Sequence, residues 1–275
     1  MGCCASDSRG KAEFLLALKI KQAIEEQRLD ALFSYFVMYL KLPACVNDKV
    51  DSCIIPVNNM KLNALGYSLW LGREKTFRYL FENMEADAKV MEDIFFSLNL
   101  SGIDILCEKG YIDLLKYYMP IYEDICPSLE LLKKPLTTIQ KICEDGNINV
   151  ISCVHSYFKD KFYVPDNLNV HYINEETNEN CALVACKTAN YPVIKFLYES
   201  CNANFKIVNA KGQNAIEILL SSDMVCHKYQ GCLKYINKTI GIPIPSNLNC
   251  EETRTIRTLP QSIEEAELTL VKSKS

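Results

Sequence analysis

The sequence predicts an all-α fold, a solenoid of stacked helix-turn-helix units. Three observations carry this expectation. A helix-pair pattern recurs from residues 63, 101, 137, 181 and 214, at separations of 38, 36, 44 and 33 residues, and a fixed period of this size marks a repeat architecture. The composition of the 275 residues, 49% hydrophobic and 23% charged, is that of a folded chain. The longest apolar run, Ala31 to Leu40, contains Ser34 and covers about half of the roughly 20 residues a membrane-spanning helix requires.

Each unit reads as two short helices. Asn63, Ser101, Thr137 and Asn214 open four of the five copies, and the fourth copy opens at Cys181. Asn, Ser and Thr at that place accept an otherwise orphaned backbone N–H at a helix start. Gly72, Gly110, Gly146 and Asn190 stand nine places later, where a left-handed residue ends a helix. Gly66 and Gly72 read as loop and cap glycines of one repeat. The second helices then show paired apolar positions: Thr76, Phe77, Leu80 and Phe81; Leu114, Leu115, Tyr118 and Met119; Val150, Ile151, Val154 and His155; Val193, Ile194, Leu197 and Tyr198. This i, i+1, i+4, i+5 spacing buries one helix face.

On these residues the chain resembles the ankyrin-repeat family, whose unit of about 33 residues is a turn and two antiparallel helices with a T-P-L-H-x-A signature. Ala64, Gly102, Thr138, Ala182 and Ala215 replace the family's Pro, and Gly66, Asp104, Gln140, Val184 and Glu217 replace its His. The stretch Asn202-Ala203-Asn204 through Asn209-Ala210-Lys211-Gly212-Gln213-Asn214-Ala215 is similar to the family's inter-repeat junction. The resemblance spans residues 57–240 and implies an ankyrin-like solenoid. It also implies recognition of a protein partner through loop tips and the concave face of the first helices. Asn59, Asn63, Asn99, Ser101, Asn209 and Asn214 are the candidate contacts.

The expected organisation is a flexible, lipidated N-terminus over 1–11 and a degenerate helical unit with a connector over 12–56. The repeat array follows over 57–240, then a mostly disordered tail over 241–275. Residues 222–240, with Leu233 and Ile236 turned inward, close the array. Residues 158–179, rich in Asn and holding Pro165, form an extended loop.

The opening Met1-Gly2-Cys3-Cys4-Ala5-Ser6 matches the N-myristoylation pattern M-G-x-x-x-[ST], in which Gly2 becomes the acylated amine. One myristoyl chain binds membranes only marginally, at about 10⁴ M⁻¹. The first 30 residues hold no polybasic patch, because Arg9, Lys11, Lys19, Lys21 and Arg28 are matched by Asp7, Glu13, Glu25, Glu26 and Asp30. Palmitoylation of Cys3 and Cys4 supplies the second anchor. The expected address is the cytoplasmic face of a membrane, the plasma membrane or a flagellar or ciliary one.

Other chemistry reads weakly. A net charge of −4 without a basic block disfavours nucleic acid. The fourteen cysteines include no C-x-x-C pair, and with no secretory leader apparent they read as reduced, with Cys107, Cys143 and Cys186 as small core filler. No metal site and no cofactor is expected, since neither metal-ligand spacing nor a Gly-rich phosphate loop occurs. The expectation is a non-enzymatic, membrane-tethered scaffold. A Cys–His thiol hydrolase using His155, His171 or His227 is one alternative. A microbial effector lipidated inside a host cell is the other.

Overall fold

A computed structural model describes residues 5–41, 50–125, 136–221 and 227–244. The fold is the all-α arrangement of helix pairs expected, with one short hairpin. It divides into two compact units, residues 1–142 with 149–169 and residues 143–148 with 170–275.

The first unit opens with α1 (Ala5–Glu25) and α2 (Leu29–Leu40). Residues 5–11, expected to be part of a flexible terminus, are therefore helical. Helix formers such as Ala12, Glu13, Leu15, Leu16, Ala17 and Leu18 favour the helix just beyond, and it extends back over residues 5–11. Leu16, Ala17, Ile20, Ala23 and Ile24 of α1 are buried, as are Leu32, Phe36 and Tyr39 of α2. β1 (Ile54–Val57) then pairs antiparallel with β2 (Met60–Asn63), with Ile54 opposite Asn63 and Val57 opposite Met60. The two-residue turn needs a positive φ, and Asn58 supplies it at 51°. This hairpin was not expected. It crosses the anticipated boundary at residue 56, so the connector belongs to the first repeat.

Asp51 fastens that connector. Its carboxylate accepts the Asp87 N–H at 3.0 Å and the Asn63 side-chain amide at 3.3 Å. Next come α3 (Ala64–Trp70) and α4 (Glu74–Arg78), which runs on as a π-helical turn over Tyr79–Asn83. An extra helix, α5 (Ala88–Ser97), follows before α6 (Gly102–Lys109), α7 (Ile112–Ile125), α8 (Thr138–Asp145) and α9 (Ile148–Phe158). Gly66 lies inside α3 rather than in a loop, where an added Cβ would come within 3.3 Å of Met91 and Phe95. Helices α3 and α6 pack on one another, as do α5 and α7.

In the second unit, α10 (Cys181–Lys187) packs on α11 (Tyr191–Glu199) and α12 (Ala215–Ser221), and α11 packs on α13 (His227–Tyr235). A π-helical turn over Ile236–Ile240 ends α13, and Leu233 and Ile236 are buried, turned inward as expected. The tail beyond residue 244 lies outside the described residues.

Most of the paired positions bury as read, among them Phe77, Leu80, Leu114, Leu115, Val150, Ile151, Val193 and Ile194, but Phe81, His155 and Tyr198, the last position of three of the sets, are only half-buried. The helix ends need two corrections. Asn180, not Cys181, caps α10, its side chain accepting the Leu183 N–H at 3.1 Å. Ala189, not Asn190, is the left-handed residue, at φ 49°, while Asn190 caps α11. The fourth copy is thus shifted by one place throughout.

Candidate interaction surface

The first helices, expected to offer a concave binding face, are buried along most of their length. Every residue of α6 from Gly102 to Cys107, and every residue of α10 from Cys181 to Cys186, is buried. The helix ends reach solvent, as do, in part, Lys141 within α8 and Glu217 within α12. At the end of α3, Trp70 stacks under the Lys109 ammonium, 3.9 Å from the ring centroid, and Lys109 also donates to the Trp70 carbonyl at 2.8 Å. Burial lowers the Lys109 pKa below its ordinary value.

The loop residues singled out divide by role. Asn59 at the hairpin tip and Asn99, left-handed at φ 58°, point outward and are exposed. Asn63 is buried and caps α3, accepting the Gly66 N–H at 2.8 Å. Asn214 forms a reciprocal capping box with Glu217: the Glu217 N–H donates to Asn214 at 3.0 Å, and the Asn214 N–H donates to Glu217 at 2.9 Å. Asn209 is buried and closes its own turn by accepting the Lys211 and Gln213 N–H groups. Ser101 is buried and makes no capping bond.

Glu92 of α5 takes over that role. Both its carboxylate oxygens accept the Gly102 N–H, at 3.0 and 3.1 Å, and the Tyr118 hydroxyl donates to it as well. Burial pushes the Glu92 carboxyl up to about 7 against these donors, with Asp104 adding to the rise. Asp104 in turn accepts the Thr138 hydroxyl, tying α6 to α8. Glu92 was invisible to sequence reasoning because a charged residue on a helix normally reads as solvated.

The second helices carry a motif the sequence reading missed. Tyr117 donates to Glu82 at 2.6 Å, and Tyr157 to Glu123 at 2.8 Å. In the second unit, Tyr235 donates to Glu199 at 2.9 Å. Each pair is separated by about one repeat. The available signal was a Tyr recurring one period after a Glu.

Between α7 and α9 lies a shallow groove of about 650 Å³, lined by Ile112, Lys116, Met119, Ser152, Cys153 and Tyr157 among others. It combines an apolar floor with one cation and small hydroxyls. Cys153 lines it, but burial raises its thiol, with Lys116 opposing only in part. Burial also pushes Cys107 and Cys186 well above their ordinary values, and Cys201 up to about 12. A high pKa keeps these groups as thiols at neutral pH and lowers their nucleophilicity. Among the described residues, no His/Cys/Asp/Glu group is placed to hold a metal, and no helix is long and apolar enough to cross a membrane.

Gly2, Cys3 and Cys4 lie outside the described residues. The helix that follows them, α1, presents Phe14, Leu15 and Leu18 to solvent, 53%, 54% and 36% exposed.

No protein-family model matches the chain, and no curated protein matches it. Solved structures do. The crystal structure of the ankyrin repeat protein EF0377 superposes with a TM-score of 0.51 at 13% identity, over 80% of this chain and 96% of that one. The human ASB11 ankyrin repeat domain aligns with a TM-score of 0.47 at 15% identity, over 82% of this chain and 99% of that one. At 13% identity, the likeness to EF0377 speaks to the fold, which is ankyrin-like.

Proposed function

We propose that this chain is a membrane-tethered adaptor that binds a protein partner at the cytoplasmic face of a membrane. The observation that carries the reading is the fold itself. Stacked helix pairs bury their polar joints internally and leave side-chain surfaces, not a cleft, as their functional output. One such surface is the α7–α9 groove. Its apolar floor with a single Lys116 suits an apolar peptide segment carrying an acidic residue.

With Met1 as initiator, Gly2 is the myristoyl acceptor and Cys3 and Cys4 the palmitoyl acceptors. Each acyl chain adds about 0.8 kcal/mol of membrane affinity per buried methylene. Two or three chains therefore hold the module durably, and tethering raises its effective concentration for membrane partners. The thiol-hydrolase alternative loses ground because the buried thiols are shifted toward the unreactive form.

The test is affinity capture from the protein's own cells with wild type, Gly2→Ala and Ser152→Arg, the last filling the groove. The adaptor reading expects a partner that Ser152→Arg loses while its melting curve stays normal. It expects Gly2→Ala to move the protein to the soluble fraction. Capture of the same partners by all three proteins would remove the groove from the account.

A further inference from the structure

Helix α1 divides sharply into two faces. Ala17, Ile20, Ala23 and Ile24 are buried, and α1 packs on α2, α3 and β1. Lys11, Phe14, Leu15, Leu18, Lys19 and Gln22 are exposed. Residues three and four apart share a helix face, so Lys11, Phe14, Leu15, Leu18 and Gln22 form one stripe. Three large apolar side chains together on an exposed stripe lose hydration free energy until something covers them.

Charge selects what covers them. Over Ala5–Gln22 the basic residues Arg9, Lys11, Lys19 and Lys21 outnumber Asp7 and Glu13, whereas over Ala23–Asp30 Glu25, Glu26 and Asp30 outnumber Arg28. The first 30 residues are neutral in sum but segregated along the chain; Lys11 and Lys19 are exposed beside the apolar stripe, while the half-buried Lys21 turns its ammonium over the Tyr67 ring at 5.8 Å. Apolar residues flanked by lysines are the pattern of a helix lying in a membrane interface. Anionic headgroups attract such lysines by about 1 kcal/mol each near the surface.

α1 begins at Ala5, one residue after Cys4. At about 1.5 Å of rise per residue, Phe14 lies only ~14 Å along the helix from Ala5. Acyl chains on residues 2–4 therefore deliver this stripe to the bilayer without any intervening linker.

We infer that the Lys11–Phe14–Leu15–Leu18 stripe of α1 is a membrane-contact surface that seats against anionic lipid, so that α1 lies along the bilayer. The inference deepens the tethering reading and rests on it for delivery. In consequence the first unit is held in a fixed orientation at the membrane, with α1 as its base, instead of swinging on its acyl chains.

The test uses the full chain, prepared with and without N-terminal acylation, and vesicles of phosphatidylcholine with about 30% phosphatidylserine. The joint variant Phe14→Ser, Leu15→Ser, Leu18→Ser is expected to lower sedimentation of the unacylated chain with vesicles by about tenfold or more. Phe14→Trp, read in a Trp70→Phe background, is expected to be quenched by brominated lipid, a readout that stands even if the triple variant folds poorly. If the acylated chain sediments but the indole of the Phe14→Trp variant is not quenched and the triple variant binds equally, the inference fails while tethering survives. If the native protein carries no acyl group, tethering fails, and the stripe is still judged by the unacylated chain. A wild-type dimer that the triple variant converts to monomer would overturn the inference, because a second copy would then be the occupant.

Discussion

The Tyr157 hydroxyl donates to the Glu123 carboxylate at 2.8 Å across 34 residues, from α9 back to α7. Tyr117 to Glu82 and Tyr235 to Glu199 repeat the relation. Each pair joins one second helix to its predecessor within the same unit. A phenol suits this place because its ring packs while its hydroxyl reaches the partner at the rim. Tyr118, by contrast, turns the same chemistry inward, to the buried Glu92.

Tyr117→Phe, Tyr157→Phe and Tyr235→Phe should each lower unfolding free energy by about 0.5–1.5 kcal/mol, the net worth of one hydrogen bond. The sites are separated by whole repeats, so the triple variant should approach the sum. Urea titration of wild type and the four variants checks this. A Tyr157→Phe protein as stable as wild type would show that the bond contributes nothing at that joint.

Glu92 should make stability pH-dependent. Its folded pKa of about 7 lies above the ordinary glutamate value of 4.5, so between these values the unfolded chain releases a proton that the folded one keeps. This contribution is fully present below about pH 4.5 and is lost as pH rises toward 7, by up to ~3 kcal/mol for one carboxyl. Glu92→Gln removes the titration and should flatten the stability profile across that window. A profile with the same slope in both proteins would assign the dependence elsewhere.

Helix ends offer a paired comparison. Ala189 sits at φ 49°, where a Cβ costs about 1–2 kcal/mol, so Ala189→Gly should stabilise by about 1 kcal/mol. Gly146 sits at φ 81°, and an added Cβ would lie 2.0 Å from the Asn190 side-chain nitrogen. Gly146→Ala should therefore destabilise by about 2 kcal/mol or more. Thermal melts read both, and opposite signs are the expected result.

Caps separate in the same way. Asn214→Ala breaks a complete capping box and should cost about 1–2 kcal/mol. Ser101→Ala should change stability by less than about 0.5 kcal/mol, because Glu92 already satisfies the start of α6. Equal costs for the two substitutions, measured by urea titration, would contradict this division of roles.

The repeat order, the buried faces of the second helices and the glycine ends at Gly72, Gly110 and Gly146 were legible because each follows a local rule at fixed spacing. What was missed depends on contacts between distant residues or on breaking the local rule. Glu92 caps a helix other than its own. Ala189 occupies a glycine's conformation because the fourth copy is one residue out of step. The hairpin at Ile54–Asn63 is too short to show a period. The burial of α6 and α10 follows from the packing of neighbours on every side, so the candidate surface moved from the first helices to the second. Asn63 and Asn214 were recognised as caps, and Asn209 only as part of an inter-repeat junction; structural duty consumes all three side chains.

Membrane tethering of the stacked helix-pair module stands on the lipid anchor. Mass spectrometry of the N-terminal peptide from the protein's own cells tests it most directly. The expected peptide carries a myristoyl amide on Gly2 and hydroxylamine-sensitive thioesters on Cys3 or Cys4. An unmodified amine at Gly2, or a peptide that continues upstream of Met1, would contradict it.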